Sequence, residues 1–570
     1  MSAALRHLAA LQGVYGGDTA SRRLLLLQQL ARQRQAYARA VQHLHEQLCF
    51  LRAYPDDGQV LAQVEAMLAG FAARGDLRRH RRELADTGIA GTDIYYRFFW
   101  FTAEWLARRW PHQITIDWRS FENRAELEAL LRLLVPYAEA AALDHAAGEA
   151  PVPGTPATPR QWLARLAGSG TTDATFLIRR FAALPVDRFT RELLYERLDP
   201  MLRLAAGPET PSRTAARVGG LPVVFRTRPL DRARPDLRRA ILEVPRRVQE
   251  VSPRLARTLI DCARESMVTR SRDLDSFEHA DPADVRVVDA GDGLQFACIG
   301  MVPERRALLD TIYGYLTLQN GVPIGYVLSS TLFGSALVAY NIFETFRGGE
   351  AARNYGRVLA MVRDLFGCDT FAVDPYQLGH DNAEGLASGA WWFYSKLGFR
   401  PVERDVLRLV RAEQARLRAD PRHRSSRATL QKLSAAPVFF HLQRPRTDVL
   451  GRLALGNVSL AVADFMARQY GADREGGLQD CSTRAARLLG AGSRRGFSAG
   501  QRLAWERWAP LVLLLPGVER WSASERAALV RVIRAKGGPR ESDFVRLFDA
   551  HRRLRQAVLA LARPRPSHPR

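Results

Sequence analysis

The segment from 341 to 362 has residue types that suit an anion-binding turn. It reads NIFETFRGGEAARNYGRVLAMV: a strand-like run, an arginine followed by Gly348 and Gly349, and then apolar or small residues with helical spacing. A glycine turn between a strand and a helix leaves unpaired N–H groups at the positive end of the helix dipole, where anions bind. The sequence therefore predicts an anion cradle from Gly348 to Ala352.

The elements that must position this turn are short β-like runs alternating with helical segments. Asn320-Gly321 lies between two of the runs and predicts a hairpin, because both positions tolerate positive φ. We expect an α/β (α+β) domain with a mixed, twisted sheet. The predicted strands are 285–288, 294–299, 313–318, 324–329, 336–343 and 370–373, and the predicted helices are 254–270, 350–366 and 383–397.

Both flanks of this domain have helical periodicity, and we expect them to be nearly all-helical. We predict three regions: 1–222, mainly α-helical; 223–411, the mixed domain with its core at 250–410; and 412–570, α-helical with a disordered tail after Arg563. The aromatic segment 93–110 is predicted to be one buried helix.

The composition is that of a globular protein, with 570 residues, 47% hydrophobic and 25% charged. The formal net charge is +23, and all but three of the 83 basic residues are arginine. Such a basic surface is compatible with nucleic acid as a partner. However, codon bias toward arginine would produce the same excess of arginine over lysine, and no groove-reading motif is found.

The five cysteines are far apart and form no close pairs, so we expect buried, reduced thiols. We expect no metal site. No apolar run has the length of a membrane span and no export signal is found, so the expected location is the cytoplasm.

The segment FYSKLGFRP (393–401) ends a predicted helix with a left-handed glycine and a following apolar residue. Together with the preceding order of hairpin, strand, arginine-glycine turn, helix and strand, it resembles the GNAT superfamily of acyl-CoA N-acyltransferases. The resemblance covers about 250–410. Its second motif is Arg347 to Ala352, similar to the pyrophosphate loop of that superfamily.

The resemblance implies transfer of an acyl group from acetyl-CoA or another acyl-CoA to an amine. It implies that Tyr394 protonates the departing thiolate, and Glu344 is our candidate base for the amine. The coenzyme would be bound by the turn and helix start, by strand 336–343 and by Asn382. The cofactor-binding residues implied are Arg347, Gly348, Gly349, Ala351, Ala352, Arg353 and Asn382.

The sequence departs from the superfamily pattern at Glu350, which stands where a glycine is expected. A carboxylate there stabilises the helix dipole and competes with phosphates for the same place. Three hypotheses follow: an active N-acyltransferase, a catalytically inactive GNAT-like binding or regulatory protein, or an arginine-rich nucleic-acid binder.

Overall fold

A computed structural model describes residues 1–148 and 156–563. The chain is 52% helical, with a nine-stranded mixed sheet in its middle and helices on both sides in sequence. It divides into two compact units, of which the first comprises 1–229, 258–279 and 319–323 and the second 230–257, 280–318 and 324–570. The predicted disordered tail after Arg563 lies outside the described residues.

The first unit contains most of the N-terminal helices and a small antiparallel sheet in the order β1-β3-β2. Its strands are β1 (Ile94–Tyr96), β2 (Ile114–Ile116) and β3 (Leu202–Leu204). Helices 1 to 11 are α1 (Ala3–Ala10), α2 (Thr19–Arg32), α3 (Ala38–Ala53), α4 (Gly58–Ala69), α5 (Gly75–Arg79), α6 (Trp100–Arg109), α7 (Arg124–Leu134), α8 (Tyr137–Gly148), α9 (Pro159–Ala167), α10 (Asp173–Ala182) and α11 (Arg188–Leu198).

Segment 93–110 is not the single buried helix that the sequence predicts. Ile94 to Tyr96 form β1, which pairs with β3, and the helix α6 begins only at Trp100. Pairing with the distant strand β3 makes 94–96 a strand. The local sequence allows it, because β-branched and aromatic residues are common in strands. The buried ring of Trp100 then packs on Tyr195, with ring centroids 5.3 Å apart.

The second unit contains the large sheet, in the order β11-β12-β10-β9-β8-β7-β6-β5-β4. The strands are β4 (Arg247–Glu250), β5 (Ala280–Gly291), β6 (Leu294–Met301), β7 (Thr311–Gln319), β8 (Val322–Leu332), β9 (Ser335–Ile342), β10 (Thr370–Val373), β11 (Arg400–Pro401) and β12 (Val438–His441). The β9–β10 pair is parallel, whereas β8–β9 and β10–β12 are antiparallel.

The remaining helices follow in chain order. They are α12 (Leu237–Leu242), α13 (Pro253–Val268), α14 (Asp275–Glu278), α15 (Ala351–Phe366), α16 (Pro375–Leu378), α17 (Ala383–Ser388), α18 (Ala390–Lys396), α19 (Arg404–Ala419), α20 (Arg427–Leu433), α21 (Gly456–Tyr470), α22 (Arg474–Leu489), α23 (Ala499–Leu514), α24 (Ala523–Lys536), α25 (Glu541–Ala550) and α26 (Arg552–Ala562). Among the described residues, every helix is too short or too polar to span a bilayer.

The six predicted strands and the first two predicted helices are found, and Asn320 and Gly321 both have positive φ at the hairpin. The predicted helix 383–397 is wrong as one element, because it is broken at Gly389, whose φ is +66°. Helices flank the sheet, as expected, but four short strands also lie in the flanks. Strands β1 to β3 lie in 1–222, and β12, from 412–570, is inserted between β10 and β11. The boundaries at 222 and 411 stay predictions.

The five cysteines are all buried and free, as the sequence predicts.

Candidate functional site

The glycine turn lies at the end of β9. After Ile342 the chain makes a short 3-10 turn, Glu344–Phe346, and then reaches Gly348, which is exposed and has φ +87°. A Cβ atom added to Gly348 would meet no atom within 4 Å. A left-handed glycine beside open space is a backbone conformation that lets a ligand approach the chain closely.

The helix start behind this turn is formed by Glu350, whose side chain makes no hydrogen bond to the first-turn N–H groups of α15. The carboxylate of Glu350 is 4% exposed and instead accepts from Arg353 Nη1 at 3.0 Å and from the backbone N–H of Asp231 at 3.2 Å. The negative charge therefore stays at the helix start, but it is bound to a cation and an amide.

Arg353 is held by two carboxylates. Its Nη2 donates to Asp292 at 2.6 Å, in addition to the bond from Nη1 to Glu350. Partial burial acts to lower the pKa of Arg353, but the charges of Glu350 and Asp292 outweigh it and raise that pKa. Sequence reasoning missed Asp292 and Asp231; the Gly291-Asp292-Gly293 turn signal marks a loop but not its distant partner.

Arg347 joins the turn to the segment that follows β10. Its guanidinium pairs with Glu384 at the start of α17, and its Nε donates to the carbonyl of Ile342 at 3.2 Å. Asn382 caps the same helix, since its Oδ1 accepts from Gly385 N at 3.0 Å and its Nδ2 donates to Tyr376 O at 3.0 Å. Both polar groups of Asn382 thus stabilise the local chain.

Strand β9 extends past the end of its parallel neighbour β10 near the turn. The register with β10 runs only from Ser335 to Leu337, whereas the register with β8 continues to Ile342. In antiparallel pairs, alternate residues direct their backbone groups away from the partner strand. The β9 edge from Val338 to Ile342 therefore lies beyond the last β10 pair, beside the start of α15.

Tyr394 lies in an aromatic cluster. It is 3% exposed, and its ring centroid lies 5.4 Å from that of Tyr355 and 5.8 Å from that of Phe399. Burial raises the pKa of Tyr394 and keeps the hydroxyl protonated. Sequence reasoning missed Tyr355, whose buried hydroxyl has no partner among the described residues and whose ring also contacts Tyr340 at 5.2 Å.

The structure brings most of the predicted residues near one helix start, but Glu344 stands apart. Arg347 and Gly348 to Arg353 are consecutive, Asn382 is linked to them through the Arg347–Glu384 pair, and Tyr394 is linked through the Tyr355 ring. Glu344 is exposed, and no hydrogen bond, ion pair or ring contact within the described residues joins it to Tyr394.

A separate group of possible metal ligands lies in the first unit. Asp275, Glu278 and His279 bring ligand atoms within 4.8 Å of one another. Burial, and then the nearby Asp273 carboxylate, raise the pKa of Glu278 to about 9. Sequence reasoning found no metal site; the spacing of these three residues around the short helix α14 is the signal that it passed over.

Comparison of the chain with protein-family models gives no match, and comparisons with curated proteins and with solved structures give none either.

Proposed function

We propose that the second unit binds an acyl-CoA at the Gly348 turn and transfers its acyl group to an amine. The single observation that carries the proposal is the conformation of Gly348: positive φ, exposure, and open space where a side chain would be, three positions before the first residue of a 16-residue helix. The oxygens of a pyrophosphate at this place would accept hydrogen bonds from the N–H groups in the first turn of α15.

The part of β9 that extends past its pairing with β10 supports the same proposal. An extended pantetheine arm needs a strand edge beside the helix start, and the register of β9 with β10 ends at Leu337. The arm would then lead from the turn towards the aromatic cluster that contains Tyr394.

Tyr394 is suited to act as the acid in this proposal, because an acid must carry its proton before the step. Burial raises its pKa, so the hydroxyl is neutral at pH 7. It would give its proton to the sulfur of coenzyme A as the thioester bond breaks and the new amide bond forms. Glu344 would take a proton from the amine, directly or through water, a role that its exposure allows.

The ion pairs of the turn favour a second candidate, a GNAT-like protein that binds or regulates without catalysis. Arg347 pairs with Glu384, and Arg353 pairs with Glu350 and Asp292, so carboxylates of the chain already neutralise both arginines. A protein that keeps these pairs would bind a pyrophosphate weakly.

Calorimetric titration of the full chain with acetyl-CoA separates the two candidates. We expect weak binding by the natural protein and tighter binding by Glu350→Gly, because one carboxylate near a helix start costs about 0.3–1 kcal/mol of anion binding. Asp292→Asn is the matched control: it removes a carboxylate from the same arginine but not from the helix start, and we expect a smaller gain.

Gly348→Val should abolish binding by filling the space that the pyrophosphate needs. Gly490→Val controls for backbone strain, because Gly490 also has positive φ (+63°) and open space but lies far along the chain, at the end of α22. If neither the natural protein nor Glu350→Gly binds acetyl-CoA at millimolar concentration, the acyltransferase proposal fails. If both bind but Tyr394→Phe leaves acyl transfer to an amine panel unchanged, Tyr394 is not the acid.

A further inference from the structure

A small cavity with a basic lining lies among the last helices of the second unit. Its volume is about 220 Å³. Pockets for drug-sized ligands are typically about 300–1,000 Å³, so the cavity suits a smaller molecule. The polar lining comes from α23, α24, the following turn and the first turn of α25: Gln501, Arg531, Arg534, Gly538, Arg540 and Asp543.

The charges around the cavity are predominantly positive. Arg531 and Arg534 are three residues apart on α24 and therefore share a face. Within 1–148 and 156–563, neither makes an ion pair with a carboxylate, and Arg534 lies over the ring of Phe497 at 5.0 Å. Arg540 is already paired, with Glu250 and more distantly with Asp543 at 3.7 Å.

The cavity walls are held by close backbone contacts. A Cβ atom on Gly500 would lie 2.6 Å from the carbonyl oxygen of Gly537, so the start of α23 and the end of α24 are in close contact. The turn after α24, which contributes Gly538 to the lining, is held by buried Arg306, which donates to the carbonyls of Lys536 at 2.9 Å and Gly538 at 2.6 Å. The backbone beside Arg534 is therefore held in place, and the exposed side chains of Arg531 and Arg534 both line the cavity.

A neutral donor completes the lining. The Oε1 of Gln501 accepts from the backbone N–H of Ser498 at 3.2 Å as part of the cap of α23. Gln501 lines the cavity, and its Nε2 amide makes no hydrogen bond within the described residues, so it can act as a donor. Two guanidinium groups and an amide are the donors that a tetrahedral oxyanion needs.

We propose that this cavity binds a phosphate group, held by Arg531 and Arg534. The group can come from inorganic phosphate or from pyrophosphate, and the cavity is large enough for either. The proposal is independent of the acyl-CoA site, since no residue is shared between the two.

The test is a calorimetric titration of the full chain with sodium phosphate and, separately, with sodium pyrophosphate, against sodium chloride at equal ionic strength. We expect saturable binding with one site per chain. Arg531→Gln with Arg534→Gln should weaken it by a factor of about ten or more for each arginine, because hydrogen bonds to charged groups are strong.

The matched control is Arg552→Gln with Arg408→Gln, which removes the same charge from two exposed arginines outside the cavity and should leave the affinity within about twofold. Arg531→Lys tests the site with the charge retained; it should still weaken binding, because lysine lacks the planar fork. If pyrophosphate binds more tightly than phosphate, we assign pyrophosphate as the ligand of the cavity. Absence of binding by both at 10 mM (about a hundredfold above a 0.1 mM Kd), or equal loss in the control variant, overturns the proposal.

Discussion

Glu350 shows how the effect of one residue depends on where its side chain lies. At the start of a helix a carboxylate competes with an anionic ligand, but this carboxylate is buried and bound to Arg353 and to the N–H of Asp231. The competition is thus reduced by two hydrogen bonds that residue type alone does not predict.

Glu278 leads to a prediction about pH. Burial, with a further contribution from Asp273, raises its pKa from 4.5 to about 9 in the folded protein. Between these values the folded state binds more protons than the unfolded state, so the contribution of Glu278 to stability falls as the pH rises from about 5 to 9. The side chain in Glu278→Gln cannot ionise, so we expect this variant to lose less stability than the natural protein as the pH rises.

Urea unfolding of the natural protein and of Glu278→Gln at pH 5.5, 7 and 8.5 measures this difference. Glu128→Gln, a change of the same kind on the exposed surface of α7, should keep the slope of the natural protein. Parallel pH profiles for the natural protein and Glu278→Gln would contradict the assignment.

The end of α18 is an element whose geometry follows from its sequence. Gly398 has φ +104°, and the N–H of Phe399 donates to the carbonyl of Tyr394 at 3.2 Å, so the chain folds back on the helix. Phe399 is fully buried, with its ring 5.6 Å from that of Phe440 on β12. The helix stop therefore also places an aromatic side chain against the sheet.

Gly398→Ala should destabilise the protein by about 1–2 kcal/mol through the left-handed backbone. A further cost follows from crowding, because the new Cβ would lie 3.1 Å from the ring of Phe440. Gly367→Ala is the control. Gly367 ends α15 with φ +76°, but a Cβ atom added there would meet no atom within 4 Å. Thermal unfolding should show the larger loss for Gly398→Ala; equal losses would mean that Phe440 moves aside without cost.

At the scale of the whole molecule, the C-terminal helices of the second unit are joined to the sheet by a buried ionic network. Arg306, on the turn after β6, donates to the carbonyls of Met301, Lys536 and Gly538. Glu541 pairs with buried Lys536 at 2.5 Å, and its N–H donates to Asp284 of β5 at 3.0 Å. Residues more than 200 positions apart in sequence thus form one polar core.

Arg306→Met should destabilise the second unit by about 3–5 kcal/mol, because it leaves the carbonyls of Met301, Lys536 and Gly538 without their donor and removes the cation 3.8 Å from Glu541. Arg408→Met is the control, since Arg408 pairs with Asp405 on the exposed face of α19 and should change stability by no more than about 0.5 kcal/mol. Urea unfolding compares the two variants. A small loss for Arg306→Met would show that water replaces the guanidinium in the network.

The sequence by itself determined the features that depend on neighbours along the chain. These are the Asn320-Gly321 hairpin, the strands from β5 to β10, the glycine turn before α15 and the stop at Gly398, each set by alternation, helical spacing or positive φ. The tertiary structure alone decided which distant residues meet. Asp231 and Glu350 are 119 residues apart, Asp292 and Arg353 are 61 apart, and β12 enters the sheet from beyond 411. A periodic pattern predicts which face of an element is apolar, but it does not contain the identity of the partner, because that follows from the packing of the whole chain.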